Sequence, residues 1–153
     1  MKKASWIILS VVGALTLLGS LFSVGIAYAS FAEDKIGPST LTELSARSPD
    51  LATAVKSRRA TAGAYGAGFA TLFLAIVLGP YRRGDAWAWR AILAGTLVVS
   101  VLILLRVPFL GIDLRAASAV TGAGTALSSL VQLGVVGLGL ALGKDRLSTN
   151  SHA

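Results

Sequence analysis

Five polar residues, Ser118, Thr121, Thr125, Ser128 and Gln132, recur at intervals of three, four, three and four in an otherwise apolar stretch. A mean spacing of about 3.5 keeps them on one face of a helix. In hydrocarbon such a face needs polar partners, because an unsatisfied hydroxyl or amide is costly there. Two uses fit. The stripe could hydrogen-bond to neighbouring helices, at about 0.6 kcal/mol per contact. It could instead line a groove for a lipid or a small polar molecule. Gln132 is the most demanding member, since its amide has four hydrogen-bonding positions to fill.

Catalytic chemistry finds little support. His152 is the one histidine, and it lies next to last in the chain. No serine or threonine has a histidine close in sequence to activate it. Glu33, Asp34, Glu43 and Asp50 share one connection, but their spacing matches no metal-binding pattern, and Lys56, Arg58 and Arg59 can serve as their partners. The absence of cysteine excludes disulfides and thiolate metal sites. Neither a catalytic residue nor a metal site is expected, no cofactor is implied, and the chain reads as a non-enzyme.

The elements that must carry these residues are long and apolar. Of 153 residues, 54% are hydrophobic and 14% charged. Soluble proteins carry about a quarter charged residues. Four runs dominate, at about 4–29, 60–78, 87–105 and 116–142. Each suffices to cross a hydrocarbon core of about 30 Å, which takes about 20 residues at 1.5 Å rise. The expected fold is all-α: a polytopic membrane protein forming a four-transmembrane-helix bundle, in one domain over 1–153. Strands are not expected in the spans, where every backbone group must be satisfied within its own segment.

The start, Met1-Lys2-Lys3 followed by an apolar run and Ala27-Tyr28-Ala29, has the marks of a secretory signal peptide. The run exceeds the usual h-region of about 7–15 residues, so a retained helix, packing through Gly13 and Gly19, is the preferred reading. Residues 30–59 form the one sizeable loop. Within it, Gly37-Pro38 is a break signal and Thr40 to Glu43 fits a capping box. Ser48-Pro49-Asp50 reads as the start of a helix that runs unbroken into the second span, with Gly79-Pro80 stopping it. Arg106-Val107-Pro108 is expected to end the third span. Residues 143–153 form a polar tail.

Small residues four apart, Ala62 with Gly66, Ala64 with Gly68 and Gly139 with Gly143, suit close helix packing in lipid. Gly66, Gly68, Gly139 and Gly143 are therefore packing candidates, within the bundle or against another membrane protein or a second copy. Two short echoes, Ala94 to Ser100 repeating Ala14 to Ser20, and Gly122 to Ala126 repeating Gly66 to Ala70, are best read as chance among small apolar residues.

The net charge of +7 comes from basic residues in the connections, with no long run, which disfavours nucleic acid. Headgroup contacts and topology are the better use. Arg82, Arg83, Trp87, Trp89, Arg90, Lys144 and Arg146 are the candidate interface residues, facing anionic lipid headgroups. With the N-terminus inside, seven basic residues (Lys2, Lys3, Arg82, Arg83, Arg90, Lys144, Arg146) lie inside and seven (Lys35, Arg47, Lys56, Arg58, Arg59, Arg106, Arg115) outside. The inside set is packed into short segments and the first helix has a basic start, so both termini are expected to be cytoplasmic. No ionisable group falls mid-span, which argues against a proton-coupled pump.

The connection Tyr81-Arg82-Arg83-Gly84-Asp85-Ala86-Trp87-Ala88-Trp89 resembles the arginine–glycine–tryptophan connection of small bacterial four-helix membrane proteins. That resemblance implies a bacterial inner-membrane location with four retained spans, and carries no catalytic residue. A non-catalytic accessory or interaction protein is the leading expectation. A lipid or small-molecule carrier using the polar face of the fourth span comes second, and a membrane enzyme with its site in the outer loop third.

Overall fold

Lys2 to Ala29 contains no proline, and its few serines and threonines sit singly among aliphatic residues, so nothing interrupts helix α1 (Lys2–Ala29). The computed structural model describes residues 2–29, 35–36, 39–110 and 122–144. These are almost entirely helical. The exception is a two-residue antiparallel pair, β1 (Lys35–Ile36) and β2 (Ser39–Thr40), with Ile36 opposite Ser39. It lies in the loop and in none of the apolar helices.

Local hydrogen-bond chemistry sets the next two starts. Thr40 caps α2 (Leu41–Arg47). The Glu43 amide donates to Thr40 Oγ1 at 3.2 Å, and the Thr40 amide donates to Glu43 Oε2 at 3.0 Å. This is the reciprocal box that the sequence pattern implied. Ser48 separates α2 from α3 (Pro49–Ile76), which opens on a proline whose missing N–H is no loss in a first turn.

Gly79-Pro80 does not stop this helix. The chain widens into a π-helical segment, Val77–Tyr81, with Pro80 inside it. In an α-helix the proline ring would strike the carbonyl four residues back. The wider π turn moves that carbonyl away and shifts the bonding by one residue, as the Arg82 amide bonding to Val77 O reports. The stop comes at Gly84, at φ +99. Its amide bonds to Tyr81 O at 3.1 Å and the Asp85 amide to Pro80 O at 3.0 Å, a Schellman closure that satisfies the last carbonyls. Helix α4 (Ala86–Leu110) also passes its expected end, with Pro108 inside. There the proline forfeits one hydrogen bond two residues from the terminus, where the opposed carbonyl can tilt outward. Helix α5 is Gly122–Leu142, and the expected start of that span, 116–121, lies outside the described residues.

Among the described residues, three stretches are long and apolar enough to cross a membrane: Ala4–Ala29, Pro49–Tyr81 and Ala86–Phe109. Leu127–Leu142 is apolar but shorter. The packing divides into two compact units, Met1–Ala14 with Thr71–Ala153, and Leu15–Ala70. In the first, α4 and α5 pack most closely, burying Ala88, Ile92, Thr96 and Ser100 at four-residue steps along α4, and Ser129, Val136 and Leu140 on α5. Within this unit Gly13 is buried, and a Cβ there would meet Leu74 Cδ2 at 2.7 Å. In the second, a Cβ on Gly63 would lie 2.6 Å from Val24 Cγ2 and 3.0 Å from Ser20 O. Gly19, by contrast, is exposed with open space around it. Six residues from Gly13 amount to a rotation of about 240°, so the two cannot share a packing face.

Candidate functional site

A buried polar arrangement sits in the first unit, where the start of α1, the π segment and the end of α5 meet. Helix α5 finishes with a tightened turn, in which the Gly143 amide bonds to Leu140 O at 3.0 Å. That leaves Gly139 O without its usual partner four residues on. Ser5 Oγ donates to it at 2.7 Å. Ser5 has one hydroxyl proton, so the contact between Ser5 Oγ and Tyr81 Oη, at 2.5 Å, has tyrosine as the donor. Trp89 Nε1 donates to Leu140 O at 3.0 Å. Side chains from three other elements thus join at the terminus of α5, and two of them bond its carbonyls. Ser5 and Tyr81 are almost wholly buried.

Glycine makes this approach possible. A Cβ on Gly143 would lie 2.2 Å from Tyr81 Oη and 2.8 Å from Ser5 Oγ, and one on Gly139 would lie 3.0 Å from Leu9 Cδ2. Around the junction, the Arg82 guanidinium lies over the Trp6 ring at 4.9 Å, a cation–π contact. Arg83 and Asp85 approach to 3.8 Å, largely exposed, an ion pair worth little.

The other residues singled out in the sequence fall as follows. Arg82, Arg83, Trp87, Arg90 and Lys144 are exposed and Trp89 is half-buried, all in the unit that holds the junction; Arg146 lies outside the described residues. Gly66 packs in the second unit, its Cβ position 2.6 Å from Ser20 Oγ. Gly68, about 200° further round the helix, faces open space and takes no part in that packing. Of the polar stripe, Ser118 and Thr121 lie outside the described residues, as does the side chain of Thr125. Ser128 is exposed and Gln132 half-buried. The serine of α5 that is buried is Ser129, one residue and about 100° from Ser128. Ser128, Ser129 and Gln132 each have an interaction partner.

Sequence reasoning passed over Ser5, Tyr81, Thr96, Ser100 and Ser129. The four-residue step from Thr96 to Ser100 was a usable signal. Nothing local marked Ser5 and Tyr81, which pair across 76 positions. Thr96 Oγ1 is buried with no hydrogen-bond partner among the described residues. No group of three or more His, Cys, Asp or Glu able to hold a metal ion occurs among the described residues. Compared with protein-family models, with curated proteins and with solved structures, the chain gives no significant match in any of the three.

Proposed function

We propose that the chain is a four-span protein of a bacterial inner membrane, with both termini cytoplasmic, acting without catalysis as an accessory protein that binds other membrane components. The observation that carries the topology is the junction. The start of α1, the turn after Tyr81 and the end of α5 come together, and for α5 to end there it must cross back beside α4. The basic and indole side chains of the same unit suit a headgroup boundary. Rows of exposed aliphatic residues, among them Leu15 and Leu18 on α1, Val98 and Leu102 on α4, and Val131 and Leu138 on α5, suit contact with lipid tails.

A periplasm-active reporter fused after Ala153 is expected to be silent, and one inserted near Ser48 active; the reverse pattern defeats the topology. Crosslinking in whole cells followed by purification tests the accessory role. A stoichiometric membrane-protein partner is the expected product, and purification with neither protein nor lipid attached would remove the role.

A further inference from the structure

The Ala27-Tyr28-Ala29 motif, which has the spacing of a leader-peptide cleavage site, lies inside α1 and not after it. A protease reads such a site as extended chain. There alternate side chains point the same way, so both alanines face the enzyme and Tyr28 faces away. In a helix the two alanines stand about 200° apart. The structure separates them accordingly: Ala27 is 6% exposed, whereas Tyr28 and Ala29 are open to the surroundings. What covers the Ala27 face is α3, within the second unit. Ser20, Val24 and Ala27 follow one another at steps of four and three, on one side of α1. The first two meet Gly63 and Gly66, where the backbones come close: a Cβ on Gly63 would lie 3.0 Å from Ser20 O and 3.2 Å from Val24 N. Ala27 then lines a cleft together with Thr53, Ser57 and Ala60 of α3.

We propose that Ala27-Tyr28-Ala29 is a latent processing site, held closed by the packing of α1 on α3. The enzyme it fits is the membrane-bound protease that removes secretory leaders after small side chains. The step is hydrolysis of the Ala29–Ser30 peptide bond: water adds across it, leaving a carboxylate on Ala29 and a free amine on Ser30. Cleavage requires α1 to unwind at 27–29 and Ala27 to leave α3, so its rate follows the population of the opened seam. A chain in which α1 and α3 fail to pack is cut and loses the helix that carries Ser5 and Leu9; an assembled chain keeps it. The proposal rests on the four-span topology put forward above, with residues 30–59 outward.

The test is cell-free synthesis of the full chain into neutral detergent, followed by addition of the purified protease and intact mass spectrometry over time. The native chain should stay whole under conditions that process a secretory precursor. Gly63→Leu, which drives a side chain into Val24 and the Ser20 carbonyl, should lose residues 1–29 about tenfold faster. Gly68→Leu, at a position facing open space, should stay as resistant as the native chain. Adding Ala29→Leu, at an exposed position, to Gly63→Leu should stop the cut, since a large side chain no longer suits the protease. Equal rates for the native chain and Gly63→Leu, or for Gly68→Leu and Gly63→Leu, overturn the masking. A cut that survives Ala29→Leu overturns the site. Should Gly63→Leu lose its helical circular dichroism, Gly63→Ala decides in its place, and cutting no faster than in the native chain overturns the masking. Detergent opens both ends of the bundle to the protease and so is blind to topology, and the reporter fusions do not depend on the protease, so the two readings fail separately.

Discussion

The Ser5, Tyr81 and Gly143 triad is a place where single atoms decide packing. Ser5→Ala removes the donor to Gly139 O, and Tyr81→Phe removes the donor to Ser5. Hydrogen bonds between membrane helices average about 0.6 kcal/mol and reach about 1.7. Each change should lower stability within that range, measured by reversible unfolding in mixed micelles. The pair should be non-additive, since they share one hydroxyl. Gly143→Ala should cost more than either, because its methyl group would fall 2.2 Å from Tyr81 Oη. Adding Tyr81→Phe should restore part of the loss, since the next ring atom, Cζ, stands 3.3 Å away. An unrescued double variant would mean that Ser5 Oγ, 2.8 Å from the same position, or the backbone sets the need for glycine.

At the scale of elements, Gly84 is the point at which the helix begun at Pro49 is made to end. Its φ of +99° lies where side chains are rarely tolerated. Gly84→Ala should therefore cost about 1 kcal/mol by the same measurement. Helix α1 should be retained in the mature chain: Ser5 and Leu9 contact Gly139, and that packing is lost if residues 1–29 are removed. Intact mass of the purified protein checks this, and loss of about 29 residues refutes it. On α5, cysteines at 127, 131 and 138 should react with a bilayer-soluble thiol probe, and those at 129, 136 and 140 should be protected. The reverse labelling would mean a helix rotated in its seat.

These elements also show what a sequence can carry. The capping box of Thr40 and Glu43 was legible because the groups that bond lie within three residues of one another, and the start at Ser48-Pro49 because proline is tolerated in a helix's first turn. Pro80 and Pro108 misled because proline forbids a particular hydrogen bond and a particular contact, and a π turn or a nearby helix end removes both penalties. Gly68 and Gly19 face open space, because small residues are so common here that spacing alone does not select the face that packs within a unit. The junction was hidden for a different reason: its members come from opposite ends of the chain, and hydroxyls scattered through apolar helices look alike until the partner is known.

For the whole molecule, on the topology proposed above, the side on which side chains join the start of α1 to the end of α5 is the cytoplasmic one. Fusing a large domain directly before Lys2 or shortly after Lys144 crowds that side. Reporter activity near Ser48 should persist with a flexible linker at either terminus. Loss of activity there, with the protein still inserted, would place the 30–59 connection on the other side of the membrane.

All three tryptophans belong to the unit that contains the junction: Trp6 under Arg82, Trp89 bonded to Leu140 O, and Trp87 exposed two residues earlier. Intrinsic fluorescence is therefore a gauge of a single region. In sealed vesicles, iodide added outside should dim the emission only of molecules inserted with that region outward. The quenched fraction, dominated by Trp87, reads out how a reconstituted population is oriented without any label being attached.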